Sequence, residues 1–200
     1  MEHSLVLAIC TFAFITTVTP GPNNVMLLAS GAQYGYARTI PHMLGIVFGV
    51  AMLLLSVLLG LGMLFSLYPV LYSVLNVVGA LYLLWLAYKI ASAPVGEIEV
   101  VAGEDKGPLR WWESALFQFV NPKAWMMALG SVSTFAQPGE LYVQSGAVIM
   151  LAFALIGFPS ISLWAGAGSK IRVWLSTPKR RRGFNLTMGA VTAATLLLIV

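Results

Sequence analysis

The sequence predicts an all-α, polytopic membrane protein with a single domain, residues 1–200, of six transmembrane helices. Composition is the first observation: 59% of the 200 residues are hydrophobic, only 9% are charged, and the mean hydropathy is +0.88. Soluble domains carry about 25% charged residues, so this chain cannot cover a water-facing surface. The second observation is a series of six apolar runs near the length of about 20 residues that crosses a bilayer. The runs lie at about 5–30, 43–65, 70–91, 113–135, 142–168 and 184–200.

Proline interrupts two of these runs, and the interruptions lie about 100 residues apart, half the length of the chain. The first is TPGPNN at Thr19–Asn24, and the second is NPK at Asn121–Lys123. Proline removes a backbone donor and clashes with the preceding turn, so the first and fourth transmembrane helices are expected to be broken. Broken backbone survives in lipid only where it is buried in protein or lines a wet cavity. Matched breaks of this kind indicate the binding site of a transporter built from two repeats.

The six spans form two halves of three spans each, and each half contains one of the two breaks. An odd number of spans per half makes the halves opposite in orientation, so we expect two inverted three-helix repeats, at about 1–91 and about 113–200. A polar stretch at about 92–112 separates them and is expected to be a flexible cytoplasmic linker. Its acidic residues are Glu97, Glu99, Glu104 and Asp105.

Basic residues predict the orientation of the chain in the bilayer. Ten of the eleven lysines and arginines fall in the first, third and fifth loops, and the second and fourth loops hold none. Because cytoplasmic loops carry the excess of Lys and Arg, both termini are expected to be periplasmic. The run Lys179–Arg182 is interpreted as an orientation anchor, with a site for anionic lipid as the alternative. The N-terminus lacks the basic region of a signal peptide, so the first span is expected to be retained.

Each break is expected to restart a helix inside the membrane. Asparagine is a favoured N-cap and proline suits the first helical position, so the restarted helices present free N–H groups and the positive end of a helix dipole. Helix N-termini bind anions, and two such ends facing one centre predict an electropositive pocket that attracts a carboxylate and repels metal ions. No cofactor and no metal site are expected. The candidate substrate-binding residues are Pro20, Gly21, Pro22, Asn23, Asn24, Gln118, Asn121, Pro122 and Lys123.

Lys123 is the one basic residue inside an apolar run, and it lies roughly 13 Å into its span at helical rise. Ionisable groups within the membrane are costly and usually functional, so Lys123 is predicted to bind the carboxylate and is the candidate for coupling transport to protons. Two alternatives are that its ammonium snorkels to the headgroups or pairs with Glu113. For the first break, the alternative is a kink repaired by neighbouring helices.

Other polar and small residues in the spans carry weaker signals. His42 lies at an inner interface and is expected to be solvated, with a proton relay as the alternative. Asn76 is expected to form an interhelical hydrogen bond. Gly45 and Gly49 form a GxxxG pair, which fits either an intramolecular seam or the face of a homodimer.

Together these motifs resemble the LysE/RhtB family of bacterial amino-acid exporters. The residues that carry the resemblance are Thr19–Asn23, Gly79–Lys89 and Asn121–Lys123, in order and at family-like spacing over nearly the whole chain. The resemblance implies a six-span inner-membrane protein that exports amino acids or close derivatives, driven by the proton gradient. The strings at Gln118–Asn121 and Arg181–Asn185 are similar to the branch that exports cysteine and O-acetylserine.

One departure from the family pattern concerns the charge of the substrate. Some members carry an acidic residue after the paired glycines of the second span, whereas this chain has Val50. That difference argues against cationic substrates such as lysine. The function expected from the sequence is therefore export of a neutral amino acid or derivative, similar to cysteine/O-acetylserine or homoserine/threonine, across the bacterial inner membrane by proton antiport.

Other classes of function fit less well. A passive channel for small zwitterionic solutes is the alternative, because facing half-helices also suit a pore. An enzyme is not expected, since one cysteine (Cys10), two histidines and no paired acids within a span leave no catalytic constellation. A metal-ion exporter would need clusters of carboxylate, thiolate or imidazole in the membrane. Nucleic acid is not an expected partner, because the basic residues lie in short loops between apolar runs.

Overall fold

The structure is a computed structural model, and it describes residues 2–93 and 107–198. These residues form nine α-helices. A π-helical segment, Val57–Leu61, joins α3 to α4, and short 3-10 turns cover Gly139–Leu141 and Thr195–Leu198. Most of the predicted linker, with its acidic residues, lies outside the described residues. The helices are α1 (His3–Val18), α2 (Pro22–Tyr34), α3 (Tyr36–Ser56), α4 (Gly62–Leu67), α5 (Val70–Ala91), α6 (Trp111–Gln118), α7 (Pro122–Phe135), α8 (Tyr142–Trp174) and α9 (Pro178–Ala194).

Three helical stretches are long and apolar enough to cross a bilayer: Tyr36–Leu67, Val70–Ala91 and Gly139–Trp174. The pair α1 and α2 is bent by 57° at the first break and makes a fourth candidate if the two helices are read as one span. The chain is therefore an all-helical, multi-pass membrane protein in the part that the structure describes. The expected fourth and sixth spans correspond to shorter pieces, α6 and α7 with 8 and 14 residues and α9 with 17 residues.

Several helices begin or end outside the apolar runs of the sequence. The second span begins at Tyr36 rather than near 43, the fifth continues to Trp174, and the last begins at Pro178. Hydropathy marks the part of a helix that lies in hydrocarbon, whereas the hydrogen-bond ladder continues through the polar turns on either side. The basic residues at these ends remain helical for that reason.

Among the described residues, the basic side chains of the loops lie together at one end of the helix bundle, which we call the basic end. The guanidinium of Arg182 at the start of α9 donates a hydrogen bond to the carbonyl of Ala91 at the end of α5, at 2.9 Å. Arg172 near the end of α8 packs against Gly35, the residue between α2 and α3. The N-terminal residues of α1 lie at the opposite end, beside Gln137 and Leu141.

Packing follows a simple pattern around a core formed mainly by α1, α3, α7 and α8. Helices α1 and α2 pack on α8, whereas α6 and α7 pack on α3. Helices α3 and α8 also pack on each other, and α5 packs on α9. Each long helix therefore packs against one broken pair: α8 against α1 and α2, and α3 against α6 and α7.

Close helix contacts depend on glycine in α2, α3 and α8. A Cβ at Gly31 or Gly168 would collide with backbone of the facing helix, because α2 and α8 approach closely there. Gly45 and Gly49 of α3 pack in the same way on α6, and a Cβ at Gly49 would lie 2.5 Å from the carbonyl oxygen of Ala115. The GxxxG pair is therefore an intramolecular seam, and the alternative that these two glycines form a dimer face is wrong.

Two polar residues of the spans differ from expectation. His42 is only 2% exposed, so the expectation of a solvated histidine is wrong. The burial of this part of α3 comes from helix packing, which sequence position near the membrane surface does not reveal. Asn76 on α5 is half-buried and has no hydrogen-bond partner among the described residues, so its expected interhelical bond is not formed.

Candidate functional site

The first break leaves the last carbonyl groups of α1 without partners inside the helix, and side chains supply those partners. The Asn24 amide donates to the carbonyls of Thr17 and Thr19, at 2.8 and 2.7 Å. The indole of Trp164, from α8, donates to the carbonyl of Val18 at 3.0 Å. These bonds hold the interruption in one conformation, and the bond from Trp164 is the kind of repair by a neighbouring helix that the alternative of a kink also requires.

The start of α2 differs from the expected asparagine cap. Its N-cap is Gly21, which supplies no side chain, and Asn24 bonds the end of α1 instead. The backbone N–H groups of Asn23 and Asn24 have no acceptor among the described residues, because Val25 is the first residue of α2 to donate, to the carbonyl of Gly21 at 3.1 Å. Two free donors and the positive end of the α2 dipole therefore lie at this buried position.

The second break has the predicted cap. Asn121 is the N-cap of α7, and its side-chain oxygen accepts a hydrogen bond from the backbone N–H of Lys123 at 3.2 Å. Pro122 occupies the first position of α7, where its missing N–H has no cost. The end of α6 is held by the Gln118 amide, which donates to the carbonyl of Ser114 at 2.9 Å. The capping prediction for this break is confirmed.

A reciprocal pair of amides joins the two breaks. The Asn23 side chain donates to the Gln118 oxygen at 2.9 Å, and the Gln118 side chain donates to the Asn23 oxygen at 3.1 Å. We call this pair the amide bridge. Asn23 and Gln118 are 95 residues apart in sequence and belong to different halves of the chain. The bridge places both breaks at the same level of the bundle, as the sequence predicts.

Lys123 forms a second connection between the halves. Its ammonium donates to the Thr19 carbonyl at 2.8 Å, to the Thr19 hydroxyl at 3.0 Å and to the Pro20 carbonyl at 3.1 Å. We call these three bonds the ammonium bridge. A lysine ammonium has three donors, so all of them are used. The ammonium also lies at the C-terminus of α1, where the helix dipole is negative.

The alternatives for Lys123 are resolved by these contacts. The side chain is half-buried and reaches the first break, so it does not snorkel to the headgroups. The Glu113 carboxylate accepts from the backbone N–H of Arg110 at 2.7 Å, and the three hydrogen bonds of the Lys123 ammonium go to the first break. Lys123 was expected to offer an unpaired ammonium to the pocket. In the structure this ammonium is already bound to the Thr19 and Pro20 carbonyls and the Thr19 hydroxyl.

A cavity of about 40 Å³ lies between the breaks. Gly21, Asn23, Asn24, Asn121 and Lys123 contribute to its wall, together with apolar residues of α3, α7 and α8. One water needs about 10–15 Å³ measured in this way, so the cavity has room for about three waters. The space between the breaks is therefore small, and we call this state of the site contracted.

All nine candidate residues fall at the breaks, but they have different positions. Pro20, Pro22, Gln118 and Pro122 do not line the cavity: Pro22, Gln118 and Pro122 are buried beside it, whereas Pro20 is exposed and contributes its carbonyl to the ammonium bridge. Within the described residues, no group of three His, Cys, Asp or Glu side chains is placed to hold a metal ion.

Sequence reasoning missed several residues of the site. Thr19 supplies two oxygens to the ammonium bridge, and Trp164 caps the end of α1. A tryptophan in the middle of a span is a usable signal, because its N–H needs a partner when it is buried. The apolar part of the cavity wall carried no signal in the sequence. It consists of Ile46, Val50, Ala124, Met127 and Ile161.

Comparison with known proteins gives one family and a consistent set of relatives. Residues 14–198 match the family model described as LysE type translocator. The chain is 34% identical over 171 residues to a cysteine/O-acetylserine efflux protein of Salmonella paratyphi A, covering 84% of each chain. It is 33% identical over 171 residues to the protein of that name in Escherichia coli K12, again with 84% of each chain covered. No solved structure matches the chain significantly.

Proposed function

The chain belongs to the LysE type translocator family, and from this premise we propose that it exports a neutral amino acid similar to cysteine or O-acetylserine across the bacterial inner membrane by proton antiport. The family consists of transporters, so the protein is a membrane transporter for amino acids and not an enzyme. The names of the relatives support the choice of substrate.

The observation that carries the proposal is the pairing of opposite charges at the first break. The N-terminus of α2 offers the free N–H groups of Asn23 and Asn24, and the C-terminus of α1 offers the carbonyls of Thr19 and Pro20. A zwitterionic amino acid carries one group for each of these ends. Its carboxylate suits the N–H groups and its ammonium suits the carbonyl oxygens.

Lys123 takes the position of a substrate ammonium while the site is contracted. When an amino acid enters, its own ammonium replaces Lys123 at the Thr19 and Pro20 carbonyls. The Lys123 side chain then rotates, and its ammonium binds the substrate carboxylate. The ammonium bridge thus opens in exchange for two charge-assisted contacts to the substrate.

The wall of the cavity suits a small, neutral side chain. Ile46, Val50, Met127 and Ile161 surround the space beside the polar groups. No acidic side chain of the described residues lines the cavity, so a lysine-like substrate would find no partner for its second positive charge. These features support discrimination against cationic amino acids.

Tyrosine bonds at the two ends of the molecule support a carrier with alternating access. Tyr36, the first residue of α3, donates to the Ser162 hydroxyl of α8 at 3.2 Å. Tyr142, the first residue of α8, donates to the Leu58 carbonyl of the π segment at 2.7 Å. We call these bonds the tyrosine links. Each helix thus starts with a tyrosine that holds the far part of the other helix.

The tyrosine links and the packing both agree with two inverted three-helix repeats in one transport domain, about 1–91 and about 113–200. Exchanging the halves converts the packing of α1 on α8 into that of α6 on α3. It also converts the contact of α2 with α9 into that of α7 with α5. Repeats of this kind open alternately to either side around a central site. A passive channel has no need of equivalent bonds that close both ends.

The basic end is assigned to the cytoplasm, because cytoplasmic loops carry the excess of Lys and Arg. Helix α1 starts at the opposite end and α9 runs towards it, so both termini are assigned to the periplasm. Arg180 and Arg182 donate to the carbonyls of Trp174 and Ala91, which ties these basic residues to helix ends. They serve as anchors at the cytoplasmic headgroups.

Counterflow in liposomes tests the proposed function. Purified protein is reconstituted into liposomes loaded with unlabelled cysteine, and labelled cysteine is added outside. A carrier exchanges the two, so labelled cysteine should transiently exceed its external concentration inside, and excess lysine should not compete. Simple equilibration without an overshoot would indicate a channel. A rate equal to that of protein-free liposomes would overturn the proposal.

A further inference from the structure

His42 is the one buried side chain of the described residues whose polar atoms lack hydrogen-bond partners. Both ring nitrogens, Nδ1 and Nε2, are without a partner, and the residue is 2% exposed. An imidazole always carries at least one donor, and its other nitrogen is an acceptor when the ring is neutral. Leaving such groups unpaired in the interior is costly, so a persistent case calls for a functional reason or an unseen water.

Its position on α3 connects His42 to the cavity. Residues four apart lie on one face of a helix, about 5–6 Å from each other. His42, Ile46 and Val50 follow this spacing, and the last two line the cavity between the breaks. His42 therefore lies one turn below the cavity wall, towards the basic end of the bundle. His42 thus lies between the site and the side that we assign to the cytoplasm.

Few other titratable groups occur on the helices packed against α3, and two of them are held elsewhere. Glu113 of α6 binds the backbone N–H of Arg110, and Lys123 of α7 is held in the ammonium bridge. On α3 itself, Tyr36 and Arg38 lie in the first turn. The remaining titratable residues on the packed helices are Tyr34 of α2 and Tyr142, Lys170 and Arg172 of α8.

We propose that His42 is a proton-binding site of the exporter and carries the coupling proton between the cavity and the cytoplasm. The proposal rests on the proposed proton antiport. Histidine is the side chain whose charge changes most readily between pH 5 and 8. Lys123 then serves as the carboxylate ligand, and proton binding is the task of a separate residue one turn from the cavity.

The proton step is a simple transfer. With the site open to the periplasm, a hydrated proton in the widened cavity forms a new N–H bond at the free ring nitrogen of His42, leaving water behind. After the site opens to the cytoplasm, that N–H bond breaks and the proton passes to water at the basic end. The unpaired nitrogens of the contracted state are thus the ones that meet water when either side opens.

Two transport measurements on His42→Gln test this proposal. Cysteine counterflow in liposomes needs no proton gradient, whereas net accumulation of cysteine is driven by an acidic lumen with the membrane potential clamped at zero. For one proton per substrate, a difference of about one pH unit supports about tenfold accumulation. We expect His42→Gln to retain counterflow and to lose gradient-driven accumulation. His3→Gln, which replaces the other histidine, exposed at the opposite end, should retain both.

The other possible outcomes distinguish among three claims: carrier function, proton antiport and the role of His42. Absence of counterflow in the unmodified protein would overturn the proposed carrier function itself. Counterflow without gradient-driven accumulation in the unmodified protein would overturn proton antiport, and the role of His42 with it. Gradient-driven accumulation retained by His42→Gln would overturn the role of His42 alone. If His42→Gln loses counterflow, His42→Asn is tested, and loss of counterflow there too would show that His42 only supports packing.

A spectroscopic measurement provides an independent check. The chain has two histidines, so His3→Gln leaves His42 as the single imidazole. Nitrogen NMR of labelled histidine in this variant then reports the protonation of His42 directly. We expect cysteine to change the charge state of the ring, since antiport requires substrate and proton to bind alternately. A ring whose signals are the same with and without cysteine would contradict the proposal.

Discussion

Replacing Lys123 with methionine removes the ammonium bridge and keeps most of the side-chain length. The substitution deletes three hydrogen bonds, to the Thr19 carbonyl, the Thr19 hydroxyl and the Pro20 carbonyl, at 2.8, 3.0 and 3.1 Å. The Thr19 carbonyl keeps a partner in Asn24, at 2.7 Å. Only the Pro20 carbonyl is left without one, and Pro20 is exposed, so the expected cost to folding is about 1 kcal/mol, the low end of the usual range.

The expected effect on substrate binding is larger. A hydrogen bond to a charged group contributes about 1.5–3 kcal/mol. Losing the Lys123 contact to the substrate carboxylate should therefore weaken cysteine binding about 10- to 150-fold. The ratio of these two effects distinguishes a ligand from a structural residue. A purely structural Lys123 would lower stability and leave the affinity of the folded fraction unchanged.

The assay combines thermal unfolding of the purified protein with half-saturation of cysteine counterflow. Lys170→Met is the matched control, since it removes an exposed lysine from α8 near the basic end. We expect Lys170→Met to behave as the unmodified protein and Lys123→Met to remain folded with strongly raised half-saturation. An unchanged half-saturation in folded Lys123→Met would refute the reasoning.

Three further substitutions test the packing around the site and the closing of its ends. Gly21→Ala places a Cβ 2.7 Å from Cδ of Lys123, so it should displace that flexible side chain and reduce counterflow with little change in unfolding temperature. Normal counterflow in this variant would argue against a role for the ammonium bridge. Gly168→Ala forces a Cβ into the backbone of α2 and should destabilise the protein by about 1–3 kcal/mol. Gly166→Ala, with nothing within 4 Å, is its control, and equal unfolding temperatures for the two variants would contradict the seam. Tyr142→Phe removes one tyrosine link, worth about 0.5–1.5 kcal/mol, and should raise the population open at the periplasmic end about 2- to 12-fold. Spin-label distances across that end measure the change, and an unaltered distance distribution would exclude a gating role.

Local rules account for what the sequence predicted correctly. Proline chemistry predicts both interruptions, and the order of Asn121 and Pro122 predicts the cap of α7, because each depends on neighbours in the chain. Small residues predict close packing, which the seam at Gly45 and Gly49 confirms. These features need no knowledge of distant contacts.

Partners that are distant in sequence could not be predicted. The ammonium of Lys123 binds residues about 100 positions away, and which oxygens it meets depends on how α7 packs beside the first break. An asparagine cap was expected at the start of α2, but Gly21 is the N-cap and the Asn24 side chain bonds the end of α1. His42 was expected to be solvated at an inner interface, yet helix packing buries it. Each of these differences arises from tertiary contacts that override local preference.

Binding of truncated ligands measures the central claim most directly, because the account requires both charges of the substrate. Calorimetric titration of the purified protein compares cysteine with cysteamine, which lacks the carboxylate, and with 3-mercaptopropionate, which lacks the ammonium. We predict that cysteine binds and that each truncated ligand binds at least about tenfold more weakly, since each loses one charge-assisted contact. Equal affinity of cysteamine and cysteine would contradict a site built around a carboxylate at the start of α2.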